Sequence, residues 1–207
     1  MKRSFYLCPL FVVFPAALVM GQYVTSDTYT RYELLAPETH QFKIYYEVTE
    51  TSPGALFHFN IIRPGSEASD ESVLDAASGK PLKFEVVSGK QAKIDSPGTS
   101  FDVEAQYIKV HLAHPVPREG ECRLIIIKTY KDSQSYFSEG DRIVYKRSLS
   151  IARDSVVLPE GYEIVSCSVA AQVIREPDGR LKLAFMNSGS GGPLEVLIQA
   201  RRLPVKK

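Results

Sequence analysis

The chain has four histidines, His40, His58, His111 and His114, and they are the first residues to test for chemistry. A metal centre needs clustered ligands, yet neither His-Glu-x-x-His nor Cys-x-x-Cys occurs. His111 and His114 lie three apart on or just past a strand-like run. They therefore point to opposite faces and read as surface or half-buried imidazoles. Ser188-Gly189-Ser190-Gly191-Gly192 comes nearest to a nucleophile elbow, but its register is wrong and no helix follows. It reads as a hairpin loop. Gly79-Lys80 and Gly89-Lys90 lack the upstream glycine and the hydroxyl residue of a phosphate loop. The acids Asp70 and Glu71, and Asp132 and Glu139, read as loop charge or a weak calcium site, without the spacing of a calcium loop. The expectation is no catalytic residue, no metal and no cofactor.

Two further sets of residues carry an expectation. Cys122 and Cys167 remain after the leader described below, separated by 44 residues. Two readings stay open: a disulfide, worth roughly 4 kcal/mol in the chain-entropy model, or two buried thiols. Neither looks like a nucleophile, because each sits in or beside a strand-like run rather than in an exposed, basic setting. Tyr136 and Phe137 sit among polar residues in the stretch 131–141, where aromatic rings are hardest to assign to a core. This pair is the candidate binding loop, since exposed aromatic anchors dominate many interfaces, and the alternative is that both rings fold back over the sandwich edge. The absence of Trp weakens a carbohydrate-stacking reading.

The elements that must position these residues read as β throughout. Phe42, Ile44, Tyr46 and Val48 alternate with Lys43, Tyr45 and Glu47. The run meets Ser52-Pro53-Gly54 and resumes over 55–62, which predicts a hairpin. Similar alternation recurs around Phe84, Val110, Tyr145 and Val196, and Glu176-Pro177-Asp178-Gly179 is a turn. Leu124-Ile125-Ile126-Ile127 breaks the alternation and predicts a central strand covered on both faces. The best helical candidate is 71–77, and helix is expected to stay under about 10%. The prediction is an all-β fold: a single antiparallel β-sandwich of about ten strands over 31–203. A loose lead-in occupies 22–30 and a tail 204–207.

Residues 1–21 have the layout of a cleaved signal peptide: Lys2 and Arg3, a short apolar run, and Val19 and Gly21 before Gln22. The alternative, an N-terminal membrane anchor, is disfavoured because the run is short for a span of roughly 20 residues, and no later stretch is apolar for long enough, so no span is expected after cleavage. Twenty-five Lys and Arg against 24 Asp and Glu leave no electrostatic case for nucleic acid. A hydrophobic fraction of 44% excludes a mostly disordered chain.

Three passages carry a family resemblance. They are Val73-Leu74-Asp75 with Gly79-Lys80-Pro81-Leu82-Lys83-Phe84, Ile108-Lys109-Val110-His111-Leu112 with Pro115-Val116, and Gly120 with Leu124-Ile125-Ile126 and Tyr130. Together they resemble the N-terminal β-sandwich domain of His-Glu-x-x-His zinc aminopeptidases. Val156-Val157-Leu158-Pro159-Glu160-Gly161-Tyr162 resembles a turn of such domains. The resemblance implies a sandwich and no chemistry, because the family's catalytic helix lies in a later domain and this sequence lacks its motif. The expectation is an exported, secreted or periplasmic, non-enzymatic binding or structural module. Its expected partner is another envelope or secreted protein. The alternative is a secreted hydrolase or carbohydrate-processing enzyme with a site assembled from distant loops, which a histidine paired with an acid in a pocket would favour. A small outer-membrane barrel, which needs a continuous apolar belt, fits the sequence less well.

Overall fold

The computed structural model describes residues 28–187 and 192–204. Residues 1–21, read above as a signal peptide, lie outside the described residues, as do most of the expected lead-in, most of the Ser188–Gly192 loop and most of the tail. The first half of the chain supplies strands β1 (Tyr29–Leu34), β2 (Gln41–Glu50), β3 (Phe57–Ile62), β4 (Glu67–Asp75), β5 (Phe84–Ser88), β6 (Gln106–His111) and β7 (Cys122–Lys131). The second half supplies β8 (Tyr136–Glu139), β9 (Arg142–Leu149), β10 (Arg153–Val157), β11 (Tyr162–Cys167), β12 (Gln172–Arg175), β13 (Leu181–Met186) and β14 (Leu194–Arg202). The fold is all-β, with fourteen described strands rather than about ten.

The strands form three sheets. Seven run in the order β12-β13-β10-β1-β2-β7-β4, four in the order β11-β14-β9-β8, and three in the order β3-β6-β5. Every pairing is antiparallel except β1 with β10, which is parallel from Tyr29 with Arg153 to Glu33 with Val157. The predicted purely antiparallel arrangement is corrected at that pair. None of the three sheets closes on itself, so the described strands form no barrel.

Alternation explains how the sheets meet. Phe42, Ile44, Tyr46 and Val48 do share one face of β2, and Leu124, Ile126, Lys128 and Tyr130 share the matching face of β7. At one end of this face Phe42, Ile44 and Tyr130 bury against Tyr136, Tyr145, Val196 and Ile198 of the four-stranded sheet. At the other end Val48, Leu124 and Ile126 bury against Ile108 and Val110 of the three-stranded sheet. The large sheet thus holds two cores on one face. Its other face carries charge: Arg31 meets Glu33 at 2.7 Å and Glu176 at 3.4 Å, and Lys182 meets Glu176 at 2.7 Å.

Several local expectations are corrected. β2 does not form a hairpin with β3. β2 pairs with β1 and β7, and β3 pairs with β6. Ala55 and Gly54 bond to Val116 instead, which turns the chain out of the large sheet. The stretch 71–77 is the end of β4 and a turn, where Val73 is needed in the second core. The described α-helix is α1 (Gly89–Asp95), capped by the Ser88 hydroxyl accepting the Gln91 N–H at 3.2 Å. β7 is paired on both edges, as a central strand must be, but Leu124 and Ile126 are buried while Ile125 and Ile127 are only half-buried.

Candidate functional site

β3 is an edge strand, because the three-stranded sheet ends there. The Leu112 N–H donates to the Leu56 carbonyl at 3.0 Å, in register with the β3–β6 ladder. Antiparallel geometry then turns the backbone groups of His58, Asn60 and Ile62 toward β6. Those of Phe57, Phe59 and Ile61 turn toward the open edge. Leu56 and Ile61 are 54% and 44% exposed there. A long edge of this kind, with apolar side chains and free backbone groups, is a template for pairing with another chain.

A cleft of about 470 Å³ follows this edge and touches every residue from Phe57 to Ile61. Contact with consecutive residues means that it runs along the strand rather than over one face. Tyr46 of the large sheet forms one wall, and Phe101 and Tyr107 form the other. Phe57, Phe59, Phe101 and Tyr107 make a chain of edge-on rings at 6.3, 5.0 and 5.2 Å between successive centroids. The alternation of β3 puts Phe57 and Phe59 on the face that the 96–101 loop folds over. The Asp102 N–H donates to the Tyr107 hydroxyl at 2.9 Å and holds that loop's end in place.

The cleft also holds a histidine–acid pair. His58 Nδ1 lies 3.0 Å from Glu50 Oε2, and Glu50 Oε1 accepts the Ser52 N–H at 3.0 Å. These bonds, led by the one from His58, hold the Glu50 carboxyl down to about 2. The pair spans the gap between the end of β2 and the start of β3. Among the described residues this bond to Glu50 is the one side-chain hydrogen bond that His58 makes.

The residues singled out in the sequence lie elsewhere, and the binding-loop expectation is corrected. Tyr136 and Phe137 belong to β8, because the segment after β7 turns back at once through Asp132. Asp132 closes that turn by accepting the Gln134 and Ser135 N–H groups, both at 3.0 Å. Tyr136 is fully buried, and its hydroxyl donates to the Leu35 carbonyl at 2.8 Å. Phe137 is half-buried beneath Lys146 Nζ, 5.6 Å from the ring centre.

Cys122 and Cys167 are both free, so the disulfide reading is not what the structure shows. Cys122 starts β7 in the large sheet, and Cys167 ends β11 against the other core. Cys122 Sγ does come within 3.8 Å of His114 Nδ1, a pairing that the sequence reading missed. Burial pushes its thiol up, the opposite of an activated nucleophile. His111 Nε2 meets Glu85 at 3.2 Å, and His40 Nδ1 meets the Tyr136 carbonyl at 3.1 Å. Among the described residues no three His, Cys, Asp or Glu side chains gather as a metal site. No described helix is long and apolar enough to cross a membrane.

No family model and no curated protein matches the sequence. Solved structures do. An M1 zinc metallopeptidase from Deinococcus radiodurans is similar at 11% identity and a TM-score of 0.49, over 84% of this chain and 41% of that one. An aminopeptidase N family protein from Idiomarina loihiensis is similar at 10% identity and a TM-score of 0.46, over 83% of this chain and 29% of that one. The chain spans less than half the length of either. A likeness of this degree leaves activity, substrate and partner to be argued from the chain's own residues.

Proposed function

We propose that the protein is an exported, non-catalytic binding module, layered as a sandwich of one large and two smaller sheets, that takes an extended peptide segment of another envelope or secreted protein along β3. The observation that carries this reading is the free edge of β3 with a cleft running its length. An added strand would bond to the backbone of Phe57, Phe59 and Ile61, which supplies affinity independent of sequence. Tyr46 on one side and Phe101 on the other would receive alternate side chains, which supplies selectivity. The aromatic rings are already packed against one another, so little side-chain freedom is lost on binding.

The test is selection of extended ten-residue peptides on the immobilised protein, followed by amide hydrogen exchange. Bound peptides should protect the N–H groups of Phe57, Phe59 and Ile61. Ile61→Pro removes one outward donor without touching the β6 ladder and should abolish binding while the protein stays folded. Protection confined to other strands, or unchanged binding by Ile61→Pro, overturns the reading. Export is tested separately: protein recovered outside the cytoplasm should begin at Gln22, and an intact Met1 there would reject it.

The second reading is a hydrolase, favoured by the His58–Glu50 pair in the same cleft. The pair also serves as a brace between two sheets, which needs no substrate. Loss of a measurable ester or glycoside hydrolysis in His58→Gln, with the fold intact, would move the assignment to the enzyme.

A further inference from the structure

We propose that a second cleft, beside Arg147, binds a hydroxylated monocarboxylate such as a sugar acid. The argument begins with the pattern of β9. Its inward residues are Ile143, Tyr145, Arg147 and Leu149, and only Arg147 carries charge. Arg147 is 9% exposed. Its guanidinium lies over the rings of Phe42, Tyr32 and Tyr130, at 5.2, 5.5 and 5.7 Å from their centres. Three rings therefore form a floor that fixes the plane of the cation.

One nitrogen of the guanidinium, Nη1, lacks an acceptor in the protein. Asp132 is its paired acid, with Oδ2 at 3.7 Å from Nη1, too far for a hydrogen bond. Asp132 is already engaged elsewhere. Its Oδ1 accepts the Gln134 and Ser135 N–H groups, and its Oδ2 accepts the Ser135 hydroxyl at 2.7 Å and the Ser66 hydroxyl at 3.4 Å. Arg147 Nη1 is buried and has no acceptor. A buried donor without a partner is costly, and a native protein that keeps one calls for an explanation. A ligand that supplies the acceptor is such an explanation.

The space for that ligand is present. A cleft of about 450 Å³ is lined by Arg147 and Asp132, with Arg63, Lys146, Ser148 and Glu195 around them. Among the described residues neither Arg63 nor Lys146 forms an ion pair with an acid. Its lining residues include three cations and two acids, an excess of one positive charge. That balance suits a monoanion better than a dianionic phosphate. A guanidinium fork matches the two oxygens of a carboxylate. Ser148, Gln134 and Glu195 can bond to hydroxyl groups on the rest of the ligand. No lining residue is shared with the cleft along β3, so this site stands or falls apart from the peptide reading.

The test is a calorimetric titration of the full chain with sodium D-glucuronate, with glucose as the uncharged control and inorganic phosphate as the dianion. Glucuronate should bind saturably and glucose should not. Arg147→Met should abolish binding. Arg63→Gln with Lys146→Gln changes only exposed side chains and should weaken binding about tenfold or more. The double variant keeps the test decisive if Arg147→Met does not fold. No saturable binding of glucuronate, or unchanged affinity in the double variant, overturns the site. Phosphate binding more tightly than glucuronate overturns the carboxylate assignment.

Discussion

At the scale of single residues the most unusual group is Asp154. It sits on β10 facing the first core, 1% exposed, and neither carboxyl oxygen has a partner. Thr30, its register partner on β1, is buried with its own hydroxyl unpaired. Burial pushes the Asp154 carboxyl up to about 7, with Arg147 pulling partly the other way. An unfolded aspartate titrates near about 3.9. Between those values the folded state holds the extra proton, so this group makes stability fall as pH rises from about 4 to 7. The effect is on the order of 4 kcal/mol at most. Asp154→Asn is expected to be more stable than the parent at pH 8 by about 2 kcal/mol or more, and nearly equal to it at pH 4. Urea unfolding at the two pH values checks this. Tyr136 gives a second test. Tyr136→Ala should cost about 3–5 kcal/mol, because it empties a core site and frees the Leu35 carbonyl. Phe137→Ala should cost under about 1 kcal/mol, and thermal unfolding of the two single variants distinguishes them.

At the scale of elements, period-2 alternation made the strands legible and left their neighbours hidden. β2 is where Phe42 through Val48 predicted it, since burial of one face dictates which residues are apolar. Its partners were not legible. The Ser52-Pro53-Gly54 turn looks the same whether the chain returns to the strand it left or crosses to another sheet. The bonds that tie Gly54 and Ala55 to Val116, far along the chain, decide it. Helix α1 was invisible because it is too short for a 3.6-residue period to show, and only the Ser88 cap marks its start. The β3 cleft was illegible for the same reason as the false hairpin: an edge is a property of pairing. The burial of Tyr136 has a related cause, since the four-residue turn at Asp132 leaves no room for a loop and the core reading of the ring holds. α1 makes a prediction of its own. A methyl group on Gly89 would overlap the backbone carbonyl of Asp102. Gly89→Ala should therefore pry the 96–101 loop from the cleft and cost more than the roughly 1 kcal/mol that an exposed helical alanine would gain. Weaker hydrogen-exchange protection at Phe101 and Tyr107 would report it.

At the scale of the whole molecule, β2 and β7 run through both cores. Phe42 and Tyr130 end in one, and Val48 and Leu124 end in the other. Lys128 lies between them, its Nζ bonded to Asn60 Oδ1 at 2.6 Å. Strands shared in this way couple the two halves, so urea should unfold the protein in one transition. Leu183→Ala in the first core and Val110→Ala in the second are expected to move the same transition, each by about 1–5 kcal/mol. Two separate transitions would show that the cores melt independently. The parallel pair of β1 and β10 has a further effect, on a chain still being made. β1 can join β2 as soon as residue 50 is out, but its second edge finds no partner until residue 157 follows. At roughly 5–20 residues per second that interval is several seconds or more. Throughout it the middle of the future large sheet is an open margin, able to recruit any passing strand.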